Sequence, residues 1–361
     1  MEHRVKSIFE KYTRQLQVLV DTNIDKFKVP FFPKYFGMGT PQVSLTYATV
    51  IGKARIEAAA SVVAHGSEAP LRGRPGIQKL EGEIAALKVK RKMDEQDWRE
   101  YEVMRALNTA DEVKKAQIIR YIWNDVQYVI DSVTSRLDIM VAQALSTGKI
   151  PIDINTNPDG VVPGTINLLV PTAHNKTGTA AFGWTLSGRK WGNAGSATPI
   201  SDIRKLTQDV WKGEGIIYDK VLMTPTKWWE MQKTTEVTKT FDGLTSLDNF
   251  NSFMQAQQLP VVELVNVHAK IEKDGKLASV NTWEDDKYIT FVPDGQLGVI
   301  HNALSVEQIS PVQGVDYAVS NNILVSKWSQ TEPFGEFTRG ELAAFPGLEV
   351  ADTMYIVKVE S

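Results

Sequence analysis

The chain has 361 residues, of which 42% are hydrophobic and 23% charged, with a formal net charge of −3 and no cysteine. This length predicts two or three domains with an ample core, while the lack of cysteine excludes disulfides, thiolate catalysis and zinc–thiolate sites. The near-neutral charge, with no long run of one sign, argues against a surface that grips nucleic acid, because phosphate neutralisation needs clustered Lys and Arg.

The N-terminus and the hydropathy pattern predict a soluble cytoplasmic product. The sequence opens Met-Glu-His-Arg with polar residues interleaved, which is not a secretion signal. No apolar run approaches the ~18 residues of a membrane span, so we expect no membrane partner.

A segment rich in proline and aromatic residues ends the first fifty positions. Prolines at positions 30, 33 and 41 predict an extended path for the backbone. The aromatic residues among them need a surface to lie against, which is either the chain's own core or a neighbouring molecule. These residues are Phe31, Phe32, Tyr35 and Phe36.

Residues 43–93 show the pattern of a long two-stranded arm. Alternating apolar positions begin at Val43 and return between Leu87 and Met93, with a stretch rich in Gly and Pro between them. About 20 residues each way at about 3.3 Å per residue predict an arm of about 65 Å. Such a ribbon is marginal alone in water and needs a receiving surface. A disordered surface loop is the alternative interpretation.

Residues 111–147 are predicted to form one long helix. At about 1.5 Å per residue it would be about 55 Å long and span the molecule. Thr109 with Glu112 resembles a capping box, and Gly148 lies where a left-handed cap is expected. Because no second helix of similar length is evident, we expect a sheet as its partner and solvent around off-stripe residues such as Asp131 and Asp138. The apolar stripe comprises Val113, Ala116, Ile119, Ile122, Val126, Ile130, Val133, Leu137, Met140 and Ala144.

After Gly148 helices and strands mix without strict alternation, which favours an α+β fold over a doubly wound sheet. A helix is predicted around residues 203–211, a second from residue 226 and a third around 250–257. Strands are predicted at 161–171, 216–223, 261–267, 288–292, 297–300 and 353–359. Asp274-Gly275 is a hairpin signal.

No catalytic or metal-binding pattern stands out, so we predict neither an enzyme nor a cofactor. The five histidines are scattered without ligand spacing. Asp153 to Asp159 resembles the start of a calcium loop, but Pro158 replaces the glycine such loops need, so a turn is the better interpretation. Four tryptophans are more typical of core and interface packing than of a sugar-binding groove. They are Trp184, Trp191, Trp228 and Trp229.

The order of these parts resembles the major capsid proteins of tailed phages, which share the fold named after phage Hong Kong ninety-seven. More narrowly, the sequence is similar to the lambda-like E family. Three stretches carry the likeness: residues 221–228 (VLMTPTKW), residues 273–295 with the run ITFVPDG, and residues 332–338 (EPFGEFT) followed by Pro346.

The resemblance implies a name for each part of the chain. Residues 1–50 would be the N-arm and 51–92 the extended E-loop. Residues 93–198, with the spine helix 111–147, would form the peripheral domain. Residues 199–330 would be the axial domain, and 331–361 a C-terminal strand segment that completes the peripheral domain.

The implied function is a structural one. Copies would assemble into hexamers and pentamers of an icosahedral head that encloses double-stranded DNA, built in the host cytoplasm with a separate scaffolding protein, a portal and possible decoration proteins. An encapsulin-like compartment and a carbohydrate-binding protein are the alternatives. The expected intersubunit contacts are the four aromatic residues of the N-arm together with Lys53, Arg55, Arg72, Arg74 and Lys79.

Overall fold

A computed structural model describes most of the chain. The described residues are 16–22, 25, 27–51, 78–97, 99, 103, 111–152, 157–158, 164–176, 191–273, 276–283, 286–332 and 334–359. The predictions for the ribbon tip, Thr109, most of the calcium-like loop and Trp184 therefore lie outside the described residues.

Seven helices and seventeen strands are defined in this part of the chain. The helices are α1 (Leu16–Thr22), α2 (Asp111–Thr147), α3 (Pro199–Glu214), α4 (Pro225–Gln232), α5 (Thr235–Thr240), α6 (Leu247–Ala256) and α7 (Val306–Ile309). The strands are β1 (Phe36–Met38), β2 (Thr46–Ile51), β3 (Gln78–Glu83), β4 (Ala86–Met93), β5 (Lys149–Ile152), β6 (Gly164–Asn167), β7 (Asn175–Lys176), β8 (Lys220–Met223), β9 (Val261–Leu264), β10 (His268–Lys273), β11 (Lys276–Asn281), β12 (Tyr288–Val292), β13 (Gly298–Ala303), β14 (Asp316–Ser320), β15 (Ile323–Thr331), β16 (Phe334–Leu348) and β17 (Tyr355–Lys358).

The long helix α2 has the predicted bounds and the predicted C-terminal cap. Gly148 adopts φ +69°, and its amide donates to the Ala144 carbonyl at 3.0 Å. This left-handed position favours glycine because a side chain there is strained. The apolar stripe is buried from Val126 onward.

The last turns of α2 are buried on more sides than the sequence predicts. Asp138 was expected in solvent, yet it is fully buried, as are Gln143 and Ser146. The reason is that two sheets, a hairpin and the N-terminal segment all contact this end of the helix, whereas one apolar stripe predicts a single partner.

The sheet against α2, called sheet 1, has the order β1-β13-β16-β15-β14, with β4 also paired to β16. The fifteen-residue β16 is its centre, since β4, β13 and β15 all pair with it antiparallel. Gly340 of β16 lies directly under the helix. A Cβ there would come within 2.9 Å of the Val129 carbonyl oxygen, so glycine permits the close approach of helix and sheet.

A second sheet, sheet 2, lies between α2 and the helices α3 to α6, in the order β7-β17-β12-β8-β9. Alternate residues point to opposite sides. Leu222, Val292 and Ile356 join the core around α2, whereas Val221 and Phe291 join the core formed with α3 to α6. Thr290 donates a hydrogen bond to the Leu145 carbonyl at 2.8 Å, which ties sheet 2 to the end of α2.

The predicted hairpin at residues 274–275 is present as β10 and β11, whose last pair is Lys273 with Lys276. Ala269 and Ile271 of this hairpin pack against Ile139 of α2. The hairpin thus covers a side of the helix that neither main sheet reaches.

Two of the predicted ranges, 199–330 and 331–361, contribute strands to both main sheets. Strands β13, β14 and most of β15 lie within 199–330 and belong to sheet 1, beside the spine helix. The last strand, β17, pairs with β12 of sheet 2, so the segment 331–361 contributes to both sheets.

Candidate functional site

Two N-terminal elements are the candidates for a functional surface: the strap, defined as residues 27–42, and the ribbon, formed by β2 and β3. The strap begins on α2, where the buried Oδ1 of Asp138 accepts hydrogen bonds from the amides of Phe31, at 2.8 Å, and Phe32, at 3.1 Å. Lys28 Nζ lies 3.0 Å from Oδ2 of the same carboxylate. One buried carboxylate therefore satisfies two backbone donors and one ammonium group.

A second carboxylate holds the strap two turns earlier on the same helix. Asp131 Oδ1 accepts from the Lys28 amide at 2.8 Å. Burial raises the pKa of Asp131 and of Asp138, and Lys28 together with the backbone donors opposes that shift. The strap thus supplies the charge and the backbone donors that offset part of the cost of desolvating both carboxylates.

The middle of the strap is bound to sheet 2. Glu263 of β9 lies 2.6 Å from Lys34 Nζ and 3.2 Å from Lys220 Nζ, and it accepts a hydrogen bond from the Tyr35 hydroxyl. Burial alone would raise the pKa of Glu263, but these three donors together lower it. The strap consequently connects α2 with sheet 2 through carboxylates on both.

The backbone of the strap also joins sheet 1. Strand β1 pairs in parallel with β13, and the Gly39 amide donates to the Ile300 carbonyl at 2.9 Å. The path is not wholly extended as predicted, because Phe32–Lys34 form one turn of 3₁₀ helix that includes Pro33. This turn brings both amides onto the Asp138 carboxylate.

Three of the four aromatic residues predicted as intersubunit contacts lie in the interior of the chain itself. Phe32, Tyr35 and Phe36 are 7%, 3% and 1% exposed and belong to the chain's own core. Phe36 packs on Gly298, where any Cβ would overlap its ring. In this conformation the core of the same chain receives these side chains. Only Phe31 is partly exposed, with its ring 5.2 Å from that of Tyr35.

The ribbon differs from the prediction in its return strand. Strands β2 and β3 pair antiparallel from Thr46–Glu83 to Ile51–Gln78. The alternation at 87–93, expected in the ribbon, belongs instead to β4, which pairs with β16 of sheet 1. Of the predicted basic contacts, Lys79 lies in β3 opposite Val50. The others, Lys53, Arg55, Arg72 and Arg74, lie outside the described residues.

A partly buried cluster of charges also joins α2 to sheet 1, and no sequence pattern predicts it. Lys327 is 3% exposed, and burial lowers its pKa to about 8 although Glu336, Asp125 and Asp316 oppose that shift. Asp125 Oδ1 lies 3.2 Å from Arg91 Nε. Asp125 of α2 thus faces two cations of sheet 1, Arg91 of β4 and Lys327 of β15.

Two alternative kinds of site are a metal centre and a sugar-binding groove lined by tryptophans. No group of three or more potential ligands is placed to bind a metal ion in the described part of the chain. Trp191 and Trp228 are buried in the core under sheet 2, whereas Trp211 and Trp229 are exposed. His174 and His301 stack on tyrosines, and His268 is exposed.

None of the described helices is long and apolar enough to cross a bilayer.

Sequence patterns do not identify the carboxylates that hold the strap, because nothing in the sequence reveals that Asp138 and Glu263 face one segment. The spacing of Asp131 and Asp138, two turns apart beside an apolar stripe, was the available signal.

Comparison with models of protein families identifies one family for this chain. A family model described as phage major capsid protein E matches residues 22–359. Comparison with curated proteins gives no significant sequence match. A crystal structure assigned to a prophage capsid protein of E. coli CFT073 is 14% identical, covers 96% of this chain and 98% of its own, and superposes with a TM-score of 0.56. A phage-related protein from Bordetella bronchiseptica RB50 is 10% identical, with 95% and 96% coverage and a TM-score of 0.51. These two likenesses show the fold.

Proposed function

The chain belongs to the phage major capsid protein E family, and from that membership we propose that copies of it assemble into hexamers and pentamers of an icosahedral head. The head encloses double-stranded DNA without reading its sequence. The protein is a structural component of the virion capsid, assembled in the host cytoplasm, and we assign it no catalytic role.

The ribbon is the observation that supports this proposal most. Within the described residues its two strands pair with each other and with no strand of either main sheet. A two-stranded ribbon is marginal in water unless it packs on another surface. In an assembly of identical subunits, the neighbouring subunit supplies that surface, and obligate interfaces of this kind commonly bury more than about 2,000 Å².

The parts of the fold receive roles under this proposal. Residues 51–92 remain the E-loop, which contacts a neighbour through the ribbon and the basic residues beyond it. Residues 199–330 contain the axial domain, centred on sheet 2 and α3 to α6. The peripheral domain consists of α2 with sheet 1, to which the strap, β13, β14 and β15 are added.

The N-arm has a narrower role than the resemblance implies. Because the strap is bound by its own chain, exchange between subunits is confined to residues before it and to exposed positions such as Val29, which is 86% exposed. A scaffolding protein, a portal and decoration proteins are further proposed partners. The near-neutral charge suits a wall that does not bind its DNA tightly.

Electron microscopy of the full chain, expressed alone and within an infected or induced host, tests the proposal. We expect closed particles of uniform size whose contents, in the host, are DNA protected from nuclease. Particles that hold protein in place of DNA would support an encapsulin-like compartment. A stable monomer that forms no particles under either condition would refute the shell function.

A further inference from the structure

One aromatic side chain fixes the base of the ribbon to sheet 1. The ring of Tyr47 in β2 is 5% exposed, and it stacks on Phe345 of β16 with centroids 4.7 Å apart and planes 24° apart. It also stacks on His301 of β13 at 5.1 Å and 22°. His301 and Phe345 are directly paired across the two strands, so together they form a flat platform for the tyrosine.

The platform lies on the side of sheet 1 that faces away from α2. Gly340 of β16 faces the helix, and Phe345 is five positions further along the same strand. Since neighbouring residues of a strand alternate between the faces, an odd separation places Phe345 on the other face. The ribbon therefore leaves the body of the molecule from the face opposite the long helix.

A glycine opposite Tyr47 makes room for this arrangement. Gly82 of β3 is the cross-strand partner of Tyr47. A Cβ at Gly82 would come within 2.9 Å of the tyrosine Oη and 3.0 Å of Cε1. An aromatic ring that covers a glycine on the adjacent strand stabilises both strands and fixes their register.

Backbone hydrogen bonds hold the chain on both sides of the ring. On the way in, the Gln42 amide donates to the Asn302 carbonyl at 3.1 Å, and the Leu304 amide donates to the Gln42 carbonyl at 2.8 Å. On the way out, the Ala344 amide donates to the Ala85 carbonyl at 3.0 Å. The ribbon is thus attached at both ends of its base, with Tyr47 as the outermost attachment.

We propose that Tyr47 is a positioning residue that sets the direction in which the ribbon leaves the subunit. Bending of the ribbon then takes place beyond Tyr47 and Gly82, and not at its junction with sheet 1. This inference rests on the proposed function, because a fixed direction matters only if the ribbon has to meet a neighbouring copy.

Hydrogen exchange of the unassembled full-length subunit tests the inference without requiring particles. The amides of Thr46–Ile51 should exchange about tenfold faster in Tyr47→Ala than in the natural chain, while the amides of α2 keep their rates. Tyr47→Phe retains the stacked ring and should match the natural chain. Tyr128→Ala removes a tyrosine from α2 and should leave the ribbon amides unchanged, as a control for the loss of an aromatic residue.

Gly82→Ala provides an independent approach, because its added methyl group displaces the ring without removing it. We expect faster exchange of the ribbon amides in Gly82→Ala, and no additional effect of this change in the background of Tyr47→Ala. Unchanged ribbon exchange in Tyr47→Ala, or effects of the two substitutions that add fully, would overturn the proposal. If Tyr47→Ala does not fold, Tyr47→Leu with Gly82→Ala gives the same comparison.

Assembly separates this inference from the proposed function. Where the natural chain forms closed particles, Tyr47→Phe should form them equally well and Tyr47→Ala should form particles of mixed size and shape. Uniform particles from Tyr47→Ala would overturn the positioning role. Failure of the natural chain to form particles would refute the shell function, whereas the exchange measurement would still decide whether Tyr47 anchors the ribbon.

Discussion

The strap and the ribbon have similar sequence patterns but differ in which groups bind them. Both are extended N-terminal segments with apolar or aromatic residues, and both were expected to contact neighbouring subunits. The strap is bound within its own chain by Asp131, Asp138 and Glu263, and by strand β13. Among the described strands those of the ribbon pair only with each other, and Tyr47 holds them at the base. The availability of buried acceptors, rather than hydrophobic content, distinguishes an internal segment from a projecting one.

The largest expected effect comes from removing the ribbon. Deletion of residues 66–82 removes most of β3, and we expect no closed particles by electron microscopy. The free energy of unfolding of the subunit should change by no more than about 2 kcal/mol, because the deleted strand joins neither main sheet. A Gly/Ser linker of equal length in place of residues 66–82 is the matched control for loop closure and should also fail to assemble. Normal particles from either variant would contradict the role of the ribbon.

The strap should show the opposite behaviour, because breaking its contacts should destabilise the isolated subunit. Asp138→Ala leaves two amides and Lys28 without their acceptor in a buried position. We expect a loss of about 3 kcal/mol in urea unfolding of the subunit. Asp131→Ala, which removes one amide acceptor from a partly exposed site, is the control and should cost about 1 kcal/mol. Equal losses in the two variants would show that Asp138 is not the main attachment.

A smaller effect is expected where the strap contacts sheet 2. Glu263→Gln keeps the size of the side chain but removes the charge that Lys34 and Lys220 face. Because Lys34 is mostly exposed, we expect a loss of only about 1 kcal/mol in the free energy of unfolding. Ribbon exchange and particle formation should be unchanged, so a defect in assembly with intact stability would show that this contact acts between subunits.

The smallest effect concerns pH at the base of the ribbon. Burial lowers the pKa of His301, against the opposing effect of Glu349. A lowered pKa in the folded state means that the unfolded chain binds the proton more readily, so stability is lost as the pH falls through about 6.5. His301→Phe keeps an aromatic ring in the stack and should remove this part of the acid sensitivity. An identical loss of stability between pH 7 and pH 5 in both proteins would contradict this prediction.

Elements that follow one physical period were predictable from the sequence. The long helix has its predicted bounds because a single apolar stripe runs from a start signal to Gly148. Strand β12 was found at its observed position for the same reason. The central strand β16 was missed, since it contains glycines and Pro346, residues that argue against a central strand when neighbours are unknown.

The contacts of the strap were not predictable, because they join residues more than a hundred positions apart. The sequence pattern places Asp138 on the solvent side of an amphipathic helix, but in the fold the strap covers it. The return strand of the ribbon was misplaced for a related reason. Apolar and polar residues do alternate at 87–93, but the strand that they form, β4, pairs with β16 rather than with β2.

Hydrogen exchange measured on the free subunit and on assembled particles tests the difference between strap and ribbon most directly. We expect the strap amides of Phe31, Phe32 and Gly39 to be protected equally in both states. The ribbon amides of Thr46–Ile51 and Gln78–Glu83 should become strongly protected only in particles. Ribbon amides that are fully protected in the free subunit, or strap amides that gain protection on assembly, would contradict this expectation.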